Sequence, residues 1–384
     1  MNRQSIKSFF VRWYTRLISL THPLQKKVLF SSFGGAQYSD NPRAISEKLH
    51  ELFPEFEISW VINNRDDNVE FLPEYVNIVS GSKWRFFYEL ATSFCFVTNT
   101  PIGISFYKRK KQFFIQTWHG DRGLKKTLYD TDPEGTGMSP VMDNKLTDLA
   151  ICGSDFGEKV YRTAFRYHGR ILKTGMPRND VLLQNNTKIR QKIMQLYGVP
   201  QNGKILLYAP TFRDFQNKKQ NVGIDIQGTI CKLESATKEN WVCFVRSHYI
   251  SPGLSIECDD RRIINVSNYP DMADLLACVD MLITDYSSSA GDYILRKKPV
   301  ILAMFDVEEF KDTCRDFYFE PEKAGYIVAK NQIELNTIID TYAEEDYLSS
   351  CKLISEYYQT IETGKSAEGI CKIINGEYCA RFNK

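Results

Sequence analysis

A histidine stands just past an apolar run in the segment Gln116-Thr117-Trp118-His119-Gly120. The run, 112–115, reads as a short buried strand, and a basic, glycine-containing turn follows, Asp121-Arg122-Gly123-Leu124-Lys125-Lys126. Imidazole gains and loses its proton near neutral pH. Placed at a strand end beside cations and pliant backbone, it suits proton transfer next to a phosphate. The same residues would also make a turn whose histidine only hydrogen-bonds its neighbours. Asp121, two residues on, is a candidate for orienting the ring.

The second half of the chain carries groups that suit a phosphate. Met281-Leu282-Ile283-Thr284 reads as a buried strand and Asp285-Tyr286-Ser287-Ser288-Ser289-Ala290-Gly291-Asp292 as a hydroxyl-rich turn entering a helix. Free N–H groups at a helix start, with the Ser287 and Ser288 hydroxyls, would cradle phosphate oxygens. Thr284 and Asp285 stand at the strand end beside them, and Asp292, one turn on, could reach a ribose hydroxyl. Serines at a helix start are equally ordinary caps. Arg246-Ser247-His248-Tyr249 ends another apolar run, 241–245, and puts a permanent cation and an imidazole at a strand's carboxyl end. Arg213, in Ala209-Pro210-Thr211-Phe212-Arg213, follows the run 204–208. Gly175-Met176-Pro177-Arg178-Asn179-Asp180 has the composition of a turn. His22, His50 and His168 read as surface or packing residues.

Other chemistries lack their motifs. There is no Gly-x-x-x-x-Gly-Lys-Ser/Thr loop, no Gly-x-Gly-x-x-Gly, no Gly-x-Ser-x-Gly elbow and no carboxylate or histidine cluster spaced for a metal. No metal or cofactor is expected. A net charge of +2 argues against nucleic acid as a partner of the whole chain. The 10 cysteines form no Cys-x-x-Cys pair and several lie in apolar runs. They are expected as buried thiols in a reducing compartment.

The elements that must position these groups alternate along the chain. Strands are expected at 28–33, 57–63, 76–79, 94–98, 113–116, 149–152 and 171–174. A second series follows at 204–209, 241–245, 263–265, 281–284, 300–303 and 326–328. Helical patterns lie between them at 42–52, 82–91, 156–165, 187–197, 271–277 and 293–296, and 331–375 reads as helical. Short strands apolar on both faces, alternating with helices, indicate parallel sheets covered on each side. The expected fold is α/β: two Rossmann-like, doubly wound domains facing a cleft, with ligands at the carboxyl ends of strands. The expected division is 28–185 for one domain and 186–384 for the other.

Residues 1–27 stand apart. No acidic residue precedes Asp40, whereas Arg3, Lys7, Arg12, Arg16, Lys26 and Lys27 all do. On a helical wheel Ile6, Phe9, Phe10, Trp13, Tyr14, Leu17 and Leu20 share a side, basic residues flank it, and Ser5, Ser8, Thr15 and Ser19 lie opposite. Aromatics between basic margins suit a helix lying on an anionic bilayer. Docking on the protein's own core is the other reading. No apolar run reaches the roughly 20 residues that span a bilayer. The body is therefore expected at the cytoplasmic face of the membrane.

Taken in order, several motifs resemble the CDP-glycerol glycerophosphotransferases, the teichoic acid primases and polymerases of bacterial cell walls. The resemblance runs from Gln116-Thr117-Trp118-His119-Gly120 through Gly175–Asp180, Tyr208–Asp214, Arg246–Tyr249 and Thr284–Ser288 to Lys297-Lys298-Pro299 and Asp316-Phe317-Tyr318-Phe319. It implies a GT-B-type fold and transfer of glycerol phosphate from CDP-glycerol to a lipid-linked saccharide acceptor, releasing CMP. It implies His119 as general base, with Arg246, His248, Ser287 and Ser288 at the donor phosphates and Arg213 joining them. It thereby implies the acceptor side and general base for 28–185, and donor binding for 186–384. Two places depart from the family pattern. Thr-Pro-Leu-Lys usually follows the first His-Gly, where this chain has Asp121-Arg122-Gly123-Leu124-Lys125. Gly-Lys-Ala-Ser-Glu-Arg becomes Gly364-Lys365-Ser366-Ala367-Glu368-Gly369. A nucleotide-sugar glycosyltransferase and an inactive nucleotide-binding scaffold are the alternatives. Glycerol versus ribitol, primase versus polymerase, and wall versus capsule acceptor stay open at this level.

Overall fold

The computed structural model describes residues 3–63, 71–103, 105–134, 144–211, 223–246, 260–341 and 343–382, with side chains from residue 6 onward and excepting that of Thr313. The chain divides into two compact units. One comprises Met1–Asp121, Thr127–Asp180 and Ile361–Lys384; the other comprises Arg122–Lys126 and Val181–Thr360.

The first unit is a seven-stranded sheet in the order β3-β2-β1-β4-β5-β6-β7. Its strands are β1 (Gln25–Ser31), β2 (Glu57–Val61), β3 (Val76–Val79), β4 (Ser93–Thr98), β5 (Phe113–Gln116), β6 (Leu149–Cys152) and β7 (Ile171–Lys173). Every pairing is parallel. Successive side chains point to opposite faces, and both faces are buried here. Val28 and Phe30 join one apolar cluster, and Leu29 between them joins the other. The helices α1 (Arg3–Thr21), α2 (Asp40–Leu52), α3 (Lys83–Thr92) and α4 (Asp155–Thr163) accompany this sheet.

The second unit is a six-stranded sheet in the order β10-β9-β8-β11-β12-β13. Its strands are β8 (Lys204–Ala209), β9 (Trp241–Val245), β10 (Ile263–Asn265), β11 (Met281–Thr284), β12 (Val300–Ala303) and β13 (Ile327–Ala329). Again every pairing is parallel. Helices α5 (Thr187–Leu196), α6 (Ile226–Thr237), α7 (Met272–Cys278), α8 (Ser289–Tyr293), α9 (Val307–Thr313), α10 (Gln332–Asp340) and α11 (Glu344–Tyr358) belong to it. The expected helix at 293–296 is instead a short 3-10 turn, Ile294–Arg296, continuing α8.

Two doubly wound parallel sheets were expected and are present. The division differs from the expected one in two respects. The last helix, α12 (Ser366–Phe382), lies in the first unit and not with residues 186–360. Ile370, Cys371 and Ile374 bury one face of α12 in the cluster of Val28, Phe30 and Trp60. Asp180 holds the start of α12, accepting from the Ser366 and Ala367 amides at 2.9 and 2.8 Å. Secondly, the five residues Arg122–Lys126, just after the His119 motif, are built into the second unit.

Helix α1 packs on the body of the first unit. Its hydroxyl stripe faces the body: Thr15 and Val11 are buried, and the Ser8 and Thr15 hydroxyls accept from the Ser105 and Tyr107 amides at 3.4 and 2.9 Å. The opposite face stays outside, with Phe9 62%, Trp13 61% and Leu20 78% exposed. The helix docks through hydroxyls because they satisfy backbone donors that an apolar face would leave unpaired. No described helix is long and apolar enough to cross a membrane.

Candidate active site

In each unit the strand order reverses beside the first strand, at β1/β4 and at β8/β11. Ligands of such sheets bind outside the carboxyl ends at that reversal. Of the residues singled out by sequence, Thr284, Asp285, Ser287 and Ser288 lie at the end of β11, while His119 follows β5 and Arg246 follows β9.

His119 follows β5. Its Nδ1 lies 2.8 Å from the backbone carbonyl of Asn99, just past β4. A carbonyl only accepts, so Nδ1 carries the proton and Nε2 carries the lone pair. The ring is held between Trp118 and Phe33, with centroids at 4.0 and 5.3 Å. The preceding turn is strained, since Trp118 has φ of 55°. Such a conformation costs a non-glycine residue about 1–3 kcal/mol and persists only when its surroundings impose it. Here Asn41 donates to the Trp118 carbonyl at 2.9 Å, Gln116 Oε1 accepts from the Trp118 amide at 2.9 Å, and Phe165 meets the indole edge-on at 4.7 Å. Asn99 is fully buried and fixes its own loop, accepting from the Phe33 amide at 2.7 Å and donating to Ser32 at 3.1 Å.

Asp121 was expected to orient the imidazole. The carbonyl of Asn99 supplies that contact, and the Asp121 carboxylate accepts from the Gly153 amide at 3.0 Å. A side chain at Gly157 would collide with it, because a Cβ there would lie 1.9 Å from Asp121 Oδ1. Asp121 thus stands at the start of α4, where a carboxylate is favoured.

Asp292 also has a different place from the one expected. Arg122 is fully buried and donates to the Gly291 carbonyl at 2.9 Å and to Asp292 at 2.8 Å. Asp292 is 4% exposed and turned to that guanidinium. Gly291 is required by the approach: a Cβ there would sit 2.5 Å from the Arg122 carbonyl. The rest of the departing loop is fastened to the Asp316-Phe317-Tyr318 stretch. Lys126 donates its amide to the Asp316 carbonyl at 2.9 Å, and Tyr318 donates to the Leu124 carbonyl at 2.8 Å.

At the β8/β11 reversal, Thr284 and Asp285 are buried and serve the strand ends. Thr284 donates to the Ala209 carbonyl at 2.6 Å, and Asp285 accepts from the Thr211 amide at 2.9 Å. Both were expected at the donor; in the structure their side chains tie the end of β11 to the end of β8. Ser287 and Ser288 are half-buried. Ser288 sits at the N-cap of α8, yet its hydroxyl makes no cap hydrogen bond. Ser287 accepts from the Ser289 amide at 3.3 Å.

Arg246 closes β9, two strands from β11. Its Nη2 reaches the Pro270 carbonyl at 3.4 Å, while Nη1 is buried with no hydrogen-bond partner among the described residues. Burial lowers its proton affinity, and the Asp271 carboxylate acts in the opposite direction. A buried guanidinium nitrogen left unpaired is costly, and an anion would satisfy it. Arg213 and His248 lie outside the described residues. Among the described residues no group of His, Cys, Asp and Glu could hold a metal ion.

The turn motif Gly175–Asp180 is structural. Arg178 pairs with Asp40 at 2.9 Å, and Asn179 and the Met176 amide donate to Glu362, each at 3.0 Å. Asn41 and Asn99 were not singled out in the sequence, and Gln116 was quoted only as the first residue of the His119 motif. Their one signal there is a polar residue at or next to an element end.

Two parallel α/β units wound in this order, one presenting a strand-end imidazole and the other a strand-end cation and hydroxyls, define a GT-B-type transferase. The profile of the CDP-glycerol:poly(glycerophosphate) glycerophosphotransferase family matches residues 14–376. The chain belongs to that family and is a phosphotransferase enzyme. It is 28% identical over 394 residues to a teichoic acid poly(glycerol phosphate) polymerase of Bacillus spizizenii, covering 96% of this chain and 98% of that one. It is 29% identical over 372 residues to a teichoic acid glycerol-phosphate transferase of Staphylococcus aureus, covering 92% and 93%. The solved wall teichoic acid polymerase TagF superposes with a TM-score of 0.83 at 26% identity, covering 96% of this chain and 94% of that chain. A histidine-to-asparagine variant of the same polymerase has been solved after soaking with CDPG.

Proposed function

We propose that this protein transfers glycerol phosphate from CDP-glycerol to a hydroxyl of a lipid-linked saccharide or growing polymer at an anionic membrane surface, releasing CMP. The observation that carries this reading is the His119 hydrogen bond to the Asn99 carbonyl, which leaves Nε2 as the basic nitrogen. The acceptor O–H gives its proton to Nε2 as its oxygen bonds to the glycerol-bearing phosphorus. The bond from that phosphorus to the bridging oxygen breaks, and CMP leaves with the electron pair. Arg246, with its unpaired Nη1, and the Ser287 and Ser288 hydroxyls take up the charge growing on CMP. His248 and Arg213 join them in this reading. Positioning and charge stabilisation supply most of the rate, as is usual for phosphoryl transfer.

The outward face of α1 supports the membrane part. Phe9, Phe10, Trp13 and Leu20 are exposed together, and Lys7, Arg12 and Arg16 are exposed at its margins. The basic margins match anionic lipid headgroups, and the aromatics suit the interface.

CMP release with CDP-glycerol, CDP-ribitol and UDP-sugars offered separately, each with a lipid-linked saccharide, tests the reading. CMP from a CDP-polyol, lost in His119→Ala, supports it. UDP release from a sugar donor in its place would overturn it.

A further inference from the structure

A cavity of about 290 Å³ opens at the β1/β4 reversal of the first unit. At roughly 30 Å³ per water, it has room for a sugar-sized group. At its inner end are Ser31, Thr98, Thr100 and Pro101. Thr98 and Thr100 bracket Asn99, whose carbonyl holds His119. At its outer end are Ser80, Gly81 and Lys83, where α3 begins. The cavity therefore runs from the residues on either side of Asn99 to the start of α3.

Its lining combines polar and apolar groups. The Ser31, Thr98 and Thr100 hydroxyls and the Asn63 amide supply polar groups, and Phe86, Phe87, Phe96 and Ile102 supply an apolar wall. Those four apolar residues belong to the same cluster as Val11 and Tyr14 of α1. Tyr14 in turn meets Trp84 at 4.9 Å, and Trp84 is 49% exposed next to Lys83. Among the described residues lining the cavity, Lys83 is the one with a charge and none is a carboxylate. A lining that holds both hydroxyls and aromatic rings suits a sugar, which has polar edges and C–H faces. A lone cation without carboxylates suits a phosphate.

Resting on the function proposed above, we propose that this cavity seats the phosphosaccharide head of the lipid-linked acceptor. The sugar lies between the hydroxyl row and the phenylalanine wall. Its reacting hydroxyl is delivered at the Thr98–Thr100 end to His119. Its phosphate is held at Lys83, on the side where α1 and α3 pack together, so the lipid tail leaves toward the exposed face of α1.

Two variants test this. Ser80→Trp fills the cavity, and Lys83→Glu reverses its charge. The probe is a disaccharide diphosphate carrying a short alkyl chain, titrated into the full chain and also used as acceptor with CDP-glycerol. Both variants should raise the acceptor KM at least tenfold and weaken probe binding equally, with donor KM and thermal midpoint unchanged. Normal CMP release with an unchanged acceptor KM in both variants would overturn the cavity assignment and leave the proposed reaction standing. Probe binding to wild type that Ser80→Trp abolishes, without CMP release from any donor, would uphold the cavity and overturn the reaction.

Discussion

The His119 imidazole is tethered by Nδ1 to the backbone carbonyl of Asn99, 2.8 Å away, across neighbouring strand ends of one sheet. Because the acceptor is a carbonyl, no side-chain substitution at Asn99 removes it directly. The tautomer is thus set by the backbone itself. His119→Ala should lower CMP release by about 10²–10⁴-fold, the usual cost of a lost general base. Its thermal midpoint should match wild type, since the ring is only half-buried. Turnover within a fewfold of wild type would remove His119 from the proton transfer.

Arg246→Ala should raise the donor KM. A hydrogen bond to a charged group contributes about 1.5–3 kcal/mol, so the rise should be roughly ten- to a hundredfold. Arg246→Lys should recover part of it, because the charge survives and the forked geometry does not. Isothermal titration with CDP-glycerol measures this directly. An unchanged donor affinity in Arg246→Ala would place the phosphates elsewhere.

The buried Arg122–Asp292 pair anchors the loop that leaves His119. Removing one partner of a buried pair strands the other charge, at about 3–5 kcal/mol. Arg122→Met should therefore lower the urea midpoint markedly. Arg122→Met combined with Asp292→Asn should recover a measurable part of the loss. Two losses that simply add would show that the pair is not energetically coupled.

Asp280 gives the protein an acid limit. Burial alone would raise its pKa, but Lys298 and Arg190, at 2.8 Å each, hold it below the ordinary 3.8. A carboxyl depressed by folding stabilises the fold above its unfolded pKa. That contribution is lost as pH falls through the lower, folded value. Thermal stability should thus drop as pH falls below about 4. Asp280→Asn should cost roughly 1–3 kcal/mol at neutral pH and flatten that acid decline. A variant whose stability falls as steeply with acid as wild type would assign the limit to other carboxylates.

Phe9→Ser with Trp13→Ser should weaken binding to anionic vesicles. Each buried aromatic contributes about 1.5–3 kcal/mol, so partitioning should fall by tenfold or more. CMP release with a soluble acceptor should be unaffected, since these rings point away from the body. Equal sedimentation of variant and wild type with vesicles would reject α1 as the membrane contact.

Sequence patterning located every strand among the described residues, because apolar runs covered on both faces need little context to be read. It missed α6 and α9, which carry weaker patterns beside the strands. Among site residues, His119, Arg246, Ser287 and Ser288 lie at strand or helix ends as their spacing indicated. Asp121, Thr284, Asp285 and Asp292 have the right chemistry for a site and are spent on the protein itself. A carboxylate's partner is chosen by what packs against it, and packing partners tens to hundreds of residues away leave no mark in local spacing.

Local chemistry, then, was determined by the sequence alone: alternating apolar runs dictate parallel sheets, and residue type at each strand end dictates which groups could act. Partnership was decided only by tertiary structure. Helix α12 joins the first unit although it ends the chain, because Ile370 and Ile374 complete that unit's core. Arg122 joins the second unit although it follows His119 by three residues, because Gly291 and Asp292 satisfy its buried guanidinium. Burial rewards whichever surface a segment can cover, and hydrogen-bond donors must find acceptors wherever the fold supplies them. Neither requirement is bound to nearness along the chain.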